Sequence, residues 1–480
     1  LTRSKAVLAI DQGTSGTKAI VVDPERGVLG VGEVLVRPSY GPDGSVEQDP
    51  TALLASVLAA GREALANAAE PVCAIGLANQ GETVLAWNRK TGAPLTDAIV
   101  WQDRRAASVC ERLKPQAAAL ESLTGLPLDA YFAAPKMAWV RERLTREGVV
   151  TTSDVWLLHQ LTGAFVTDAS TASRTMLLDL DSTDWSPEAV EIFGMSGEDL
   201  PTVVDSAGVV GETDVFGLRL PVSGLLVDQQ AALLAHGCLS PGESKCTFGT
   251  GAFLLTNTGA EPYRVGGGLV PSVAWRLRGM PSYCLDGQVY TVASAVRWLI
   301  DLGIIASAEE LDKVGANVDD SGGVTFIPAF AGLAAPWWRG DIRASLTGLG
   351  LETTSGHLVR ALFDGIAAQV VALVDAAGKA VGAPLSRLRV DGGLTRSQLL
   401  MQTQADLLQI PVEVYGSLDA TAHGVATAAR LGLMDEPDLD TVLPSWAPVA
   451  IYEPQVSSSQ AQETLARHRD AVTRLLDMES

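Results

Sequence analysis

The stretch VLAIDQGTSGTKAIVV, residues 7–22, sets two short apolar runs, Val7–Ile10 and Ala19–Val22, on either side of a turn that carries Gly13 and Gly16. Apolar, β-branched runs flanking a glycine turn predict a β-hairpin. The same design returns half a chain later in KCTFGTGAFLLT, residues 245–256, where Lys245–Phe248 and Phe253–Thr256 flank Gly249-Thr250-Gly251. Two turns with a Gly-Thr core predict a duplicated α/β architecture in which each lobe opens on a glycine-rich hairpin.

The segments between and beyond the hairpins alternate helix and strand. Thr51–Ala68 has helical apolar spacing and Val72–Leu77 reads as a strand. Thr353–Ala380 is a long helix with Leu358, Leu362, Ile366 and Val370 on one face. It leads to a strand, Leu388–Val390, then to Asp391-Gly392-Gly393 and a helix, Gln398–Leu408. Strand, glycine loop and helix in that order place ligands beyond the carboxyl ends of strands. The 480 residues are too many for one ordinary core. The boundary is expected at Gly237–Gly242, around Pro241, giving lobes 1–237 and 238–480.

Composition narrows the function classes. Hydrophobic residues make up 47% and charged residues 19%, enough to build large cores. The formal net charge of −21 repels phosphate backbones and anionic lipid, so neither nucleic acid nor a membrane surface is the expected partner. The five cysteines are scattered and form no C-x-x-C pair, which predicts a reducing, cytoplasmic setting. Residues 1–10, LTRSKAVLAI, read as a first strand and not as a leader. No run of about 18 uncharged apolar residues predicts a membrane span.

Four sequence features have the residue types that phosphoryl transfer needs. In DQGTSGTK, residues 11–18, backbone N–H groups and the Thr14 and Ser15 hydroxyls make an anion cradle, Lys18 adds a charge, and Asp11 ends a buried strand. Taken alone, the stretch is equally an ordinary hairpin with a surface Asp. In GLLVDQQAA, residues 224–232, Asp228 follows an apolar run and precedes a helix. It reads either as a general base or as the N-cap of a helix Gln229–His236. FGTGAF, residues 248–253, and Asp391-Gly392-Gly393 are further loops that a phosphate or nucleoside can approach. The chain has no Walker P-loop and no dinucleotide fingerprint. The triplet His468-Arg469-Asp470 lacks the Asn that a kinase catalytic loop requires and is expected on the solvated face of a C-terminal helix striped by Leu465, Val472 and Leu475. His159, His236, His357 and His423 are isolated and read as structural.

In this order the motifs resemble the FGGY family of carbohydrate kinases, and within it are most similar to the glycerol kinases. The resemblance runs from Val7 to about Tyr452. It is carried by DQGTSGTKAIVVD (11–23), ANQGETVLAWNRKTG (78–92), AIVWQDRR (98–105), DAYFAAPKMAWV (129–140), VTDASTASRTMLLDL (166–180), VDQQAALLAHG (227–237), FGTGAFLLTNTG (248–259), FIPAFAGLAAPWW (326–338), VDGGLTRSQLLMQ (390–402) and DATAHGVATAARLGL (419–433). It implies two actin-like, ribonuclease H-like lobes that close over ATP and Mg²⁺, and transfer of the terminal phosphate to a hydroxyl of a small polyol. It implies further that Asp228 is the catalytic base and that Gln229 helps to hold the substrate. Glu82 and Tyr131 match positions that bind substrate hydroxyls, and Trp101 and Phe253 match aromatics that cover its carbon chain. Thr14, Ser15 and Lys18 match the first phosphate turn, and Thr250 and Gly251 the second. Ala293, Arg297, Gly393 and Ser397 fall on nucleotide positions, and Asp11 on the metal position.

Several positions depart from the pattern. Gly81 stands where glycerol kinases carry Arg, which removes a cationic donor and leaves room for a polyol longer than glycerol. Lys18 replaces an Arg, Ala293 a Gly, Arg297 a Gln and Ser397 an Asn. The loop 214–221, DVFGLRLP, lacks the glycine-rich insert of a sugar-bisphosphate site. A xylulose-type ketose kinase is the alternative within the family, although the Met-His pair usual near Glu82 is absent. A non-catalytic sugar-binding relative would be expected to have lost Asp11 or Asp228. Homo-oligomerisation is left open.

Overall fold

The computed structural model describes residues 5–264 and 268–478. Leu1–Ser4, which opened the expected first strand, lie outside the described residues. The first hairpin forms as its glycines require. Val7–Gly13 pairs antiparallel with Gly16–Asp23, setting Asp11 opposite Lys18 and Gly13 opposite Gly16 around a Thr14-Ser15 turn. A Cβ on Gly16 would lie 2.4 Å from the Val34 carbonyl oxygen, so the third strand, Gly27–Leu35, passes too close for any side chain there.

The N-terminal sheet has six strands, ordered Ala207–Thr213, Leu220–Val227, Ala74–Asn79, Val7–Gly13, Gly16–Asp23, Gly27–Leu35. The C-terminal sheet has seven, ordered Val270–Leu277, Met280–Val289, Ala252–Gly259, Ser244–Phe248, Leu388–Asp391, Val412–Val414, Ala450–Tyr452. Both contain one five-strand core. The opening hairpin is extended by an antiparallel third strand on one side and by two strands parallel to the first on the other. This repeated mixed sheet is the two-lobed, ribonuclease H-like arrangement that the resemblance implies.

Two expected elements shift. The strand read as Val72–Leu77 is Ala74–Asn79, because parallel pairing with the first strand sets its register from Val7↔Ala74 to Gln12↔Asn79. His468 is not on the solvated face of its helix, Ser458–Met478. It is 5% exposed and continues the buried stripe Ala461, Leu465, His468, Val472, and desolvation holds its imidazole down at about 4. The long helix is Ser355–Val381, closed at its start by a Thr354–His357 capping box. It is apolar and long enough to cross a bilayer, but 67% of its apolar window is buried inside the C-terminal core, where Leu362, Ile366 and Val370 pack on Leu254 and Leu285.

The lobes are tied together by helix exchange. The helix Asp228–Ala235 leaves the end of the N-terminal strand Leu220–Val227, and segment 236–243 carries the chain to the second hairpin. In return the helix Ala420–Leu431, from the C-terminal half, packs on the N-terminal sheet, with Val425 and Ala429 in one core with Val7, Ala9 and Leu226. Glycines allow the approach. An added Cβ would lie 2.5 Å from the Val425 carbonyl at Gly76, 2.3 Å from the Ala429 nitrogen at Gly224, and 1.7 Å from the Ala231 carbonyl at Gly424. Backbone atoms cannot yield as side chains can, so the contact of the two exchanged helices depends on Gly424. Gly424→Ala is expected to cost about 1–3 kcal/mol, the usual range for overpacking, read as a lower midpoint in denaturant unfolding. Gly197→Ala, where an added Cβ meets nothing within 4 Å, is the control expected to leave the midpoint in place.

Candidate active site

The first hairpin points its turn at the interface of the lobes, and side chains from elsewhere hold it there. The Gln48 amide donates to the Thr14 carbonyl at 2.7 Å and accepts from Gln80 at 2.9 Å. The Trp101 indole N–H donates to the Thr14 hydroxyl at 2.8 Å. Ser15 is exposed at the tip. Lys18 pairs with Asp419 at 2.5 Å, just before the exchanged helix, so its charge is already compensated across the lobes. Asp11 is pushed up to about 7, by burial first and then by the carboxylates of Asp228 and Asp419, with Lys18 opposing. Excess negative charge of this kind is relieved by a cation. Among the described residues no three His, Cys, Asp or Glu side chains converge to hold a metal by themselves. A buried carboxylate with surplus charge is chemically suited to a hard divalent cation.

Asp228 is not the N-cap of its helix. Val227 occupies that position with an extended backbone, and Asp228 is the first helical residue. Its carboxylate receives the Gln229 N–H at 2.7 Å and is half-buried. Burial, then the Glu82 carboxylate, raises it to about 6, while the Gln229 N–H, Lys245 and Arg174 pull it down.

Around Asp228 stand the other residues expected to meet the acceptor. Glu82 is 4% exposed and has φ of 57°, a left-handed conformation that is strained for a residue with a side chain. Its carboxylate accepts from the Arg174 Nε at 2.7 Å, and burial still raises its pKa against the pull of Arg174. Gly81 is buried, and a Cβ there would come 2.9 Å from Val227 Cγ2. Tyr131 meets the edge of Trp101 at 5.7 Å, with the Arg174 guanidinium 5.8 Å over its ring. Its loop is pinned by Lys136, a buried ammonium that donates to the carbonyls of Ala130, Tyr131 and Phe132.

The C-terminal sheet supplies the opposite wall. Its register sets Lys245 beside Leu255 and Leu255 beside Asp286, then Thr247 beside Phe253 and Phe253 beside Gln288. Paired residues share a face and neighbours along a strand alternate. Lys245, Thr247, Phe253, Asp286 and Gln288 therefore lie on one face, and Cys246, Phe248, Leu254, Leu285 and Val289 fill the core behind it. The Lys245 ammonium donates to the Gln229 amide oxygen at 2.6 Å and to the Thr247 hydroxyl at 2.9 Å. Asp286 closes on Arg174 at 3.1 Å, so Arg174 joins a carboxylate from each lobe.

A cavity of about 440 Å³ opens beside the second hairpin, lined by Phe248, Gly249, Thr250, Ala293, Asp312, Gly393, Ser397 and neighbours. Of the expected nucleotide residues, Thr250, Ala293, Gly393 and Ser397 are brought together there. Gly251 lies at the turn beneath it, where a Cβ would strike the Val289 carbonyl at 2.4 Å. Ser397 caps the helix Gln398–Leu408 through the Leu400 N–H and bonds to Asp312. Arg297 is not among the lining residues. It is exposed and paired with Asp301 one turn along its own helix at 3.0 Å.

Sequence reasoning missed Arg174, Lys245, Asp286 and Asp419. A signal was present for two of them: Lys245 and Asp286 are the charged residues of the strands Ser244–Phe248 and Met280–Val289, and a charge on the inner face of a strand needs a partner.

Known proteins resemble this chain along its length. The models of the FGGY family of carbohydrate kinases match its N-terminal domain at residues 6–235 and its C-terminal domain at residues 244–433. A glycerol kinase of Gloeobacter violaceus is 44% identical over 89% of this chain and 88% of its own. One of Thermus brockianus is 41% identical over 98% of both chains. The crystal structure of Plasmodium falciparum glycerol kinase with ADP superposes with a TM-score of 0.92 at 30% identity, covering 98% of both chains. Xylulose kinase from Rhodospirillum rubrum shares the fold, with a TM-score of 0.86 at 24% identity over 99% of both. With both domain models matched and relatives above 40% identity along its length, the chain belongs to the FGGY family of carbohydrate kinases.

Proposed function

We propose that this protein transfers the γ-phosphoryl group of ATP to a hydroxyl of a small linear polyol, with residues 1–237 holding the acceptor and the base and residues 238–480 holding the nucleotide. The observation that carries the reading is Asp228, a half-buried carboxylate at a helix start, raised to about 6 and close enough to Glu82 and Tyr131 for their charges to act on one another. The glycerol kinases among its relatives support a polyol as acceptor.

In the reaction the acceptor oxygen attacks the γ-phosphorus, its proton passes to Asp228, and the bond from phosphorus to the ADP oxygen breaks. Glu82 and Tyr131 hold neighbouring hydroxyls, and Trp101 and Phe253 cover the carbon chain. Gln229, with its amide oxygen occupied by Lys245, presents its N–H₂ toward the acceptor. Gly13 to Gly16 and Gly249 to Gly251 receive the phosphates through backbone N–H groups, with Thr14, Ser15 and Thr250 adding hydroxyls. Lys18 must exchange its Asp419 partner for phosphate oxygen if it is to bind ATP, a ligand-dependent swap between the lobes. Asp11 is the carboxylate that would hold Mg²⁺, which when bound neutralises phosphate charge. The 440 Å³ cavity receives the nucleoside.

Asp228→Asn is expected to lower kcat by at least about 10²-fold, the scale of losing a general base, with ADP binding retained; undiminished turnover removes Asp228 as the base. The base must be ionised to take the proton, so activity should be lost as pH falls through about 6. Lys245→Met removes a cation that lowers the Asp228 pKa, so this acidic limb should move to higher pH, and an unmoved limb argues that another group titrates. Gly393 has no atom within 4 Å of an added Cβ, so Gly393→Leu should fold normally and fill the nucleoside cavity. The expected result is a KM for ATP raised about tenfold or more, the scale of altered pocket contacts, with the acceptor KM in place. An unchanged KM for ATP puts the nucleoside elsewhere.

A further inference from the structure

Behind Glu82 lies a buried polar group with more hydrogen-bonding capacity than the protein itself uses. Arg174 is 3% exposed, Asp286 7% and Gln288 2%. Arg174 spends its Nε on Glu82 and its Nη2 on Asp286, and among the described residues its Nη1 has no partner. The second oxygen of Asp286, Oδ1, has none, and neither has the Gln288 amide oxygen. Buried donors and acceptors left unpaired are costly, and a native site retains them where a ligand completes them. These three groups are adjacent. Asp286 and Gln288 stand two residues apart on one face of their strand, Gln288 is the cross-strand partner of Phe253, and Arg174 is bonded to Asp286.

The unused groups also match in kind. A polyol hydroxyl both donates and accepts. Arg174 Nη1 donates, and Asp286 Oδ1 and Gln288 Oε1 accept. A three-carbon polyol has one hydroxyl for Asp228 and two for Glu82 and Tyr131, which leaves the Arg174–Asp286–Gln288 group unmatched. Gly81 contributes no side chain to compete for that end of the pocket. Resting on the polyol-kinase reading, we propose that Arg174, Asp286 and Gln288 form a second hydroxyl-reading subsite, assembled from both lobes, which makes a four- or five-carbon linear polyol a better acceptor than glycerol. Sites built to bond a hydroxyl discriminate strongly against analogues that lack it, because the site's own polar groups are then orphaned.

The test is ADP release by the full chain with glycerol, tetritols and pentitols, for the unaltered protein, Gln288→Ala and Asp286→Asn. Gln288→Ala leaves the Arg174 ion pairs intact, so it remains informative if Asp286→Asn folds poorly; circular dichroism and ADP binding report on folding. The expected result is kcat/KM at least about tenfold higher for a tetritol or pentitol than for glycerol. Each variant should lower that longer-polyol-to-glycerol ratio at least about fivefold, the scale of one buried hydrogen bond. A preference for glycerol in the unaltered protein, or an equal fall on all polyols in Gln288→Ala, overturns the subsite and leaves the polyol-kinase reading standing. Turnover of no polyol at all overturns the polyol-kinase reading, and the subsite with it.

Discussion

One guanidinium between two buried carboxylates organises the cleft. Arg174 reaches Glu82 on the N-terminal side at 2.7 Å and Asp286 on the C-terminal sheet at 3.1 Å, and all three are nearly shut off from water. Burying three charges is expensive, and removing one member of such a set typically costs about 3–5 kcal/mol because the others are left uncompensated. The arrangement is therefore a poor device for stability alone. It does two things that an apolar contact cannot. It keeps the Glu82 carboxylate in a dry pocket beside Asp228, where burial first and then the Glu82 charge raise Asp228 toward the pH range in which a base works best, with Arg174 opposing. It also ties the two walls of the pocket through groups that a hydroxylated ligand can share.

The rest of the fold makes this burial feasible. Arg174 follows the short helix Ala169–Ser173, whose start is capped by Asp168 through the Ser170 and Thr171 N–H groups. Asp168 also accepts from Ser206, so the loop that delivers Arg174 is fixed before the guanidinium finds its partners. Glu82 is delivered by a left-handed backbone turn after the strand Ala74–Asn79, and Gln80 beside it bonds to Gln48, which holds Thr14. Acceptor loop and phosphate turn are thus linked by two amides, and a shift of one is felt by the other. The exchanged helices, seated on Gly76, Gly224 and Gly424, bring Asp419 to Lys18 and the carbonyl of Asp228 within 3.3 Å of the Thr421 hydroxyl.

What could be read from the sequence follows from which forces are local. The two hairpins were legible because Gly16 and Gly251 are demanded by the close approach of neighbouring backbone, 2.4 Å from where a Cβ would stand in each. The helix Ser355–Val381 was legible because Leu358, Leu362, Ile366 and Val370 repeat along one face. Asp228 was visible as a carboxylate at a strand end, but choosing between cap and base needed the observed backbone, which gives the cap position to Val227. The strand Ala74–Asn79 was misplaced by two residues because its register belongs to its partner strand. Arg174 was invisible, and the signal of Lys245 and Asp286 was passed over, for a related reason. Periodicity treats a charge as a mark of exposure, and only a partner from another lobe can make burial of that charge tolerable.

The same logic separates the reaction from the choice of acceptor. Phosphoryl transfer depends on groups that the family motifs carry in order, so the kinase assignment survives substitutions such as Lys18 for Arg. Acceptor choice depends on how many buried polar atoms remain unpaired once the shared groups are satisfied. Gly81 offers no donor, while Arg174, Asp286 and Gln288 leave a donor and two acceptors unpaired. A lost donor together with a surplus of buried unpaired atoms is not a weakened glycerol site. It is a different one, and it favours a longer chain of hydroxyls, because each added hydroxyl both gains its own bonds and relieves atoms that folding had already desolvated.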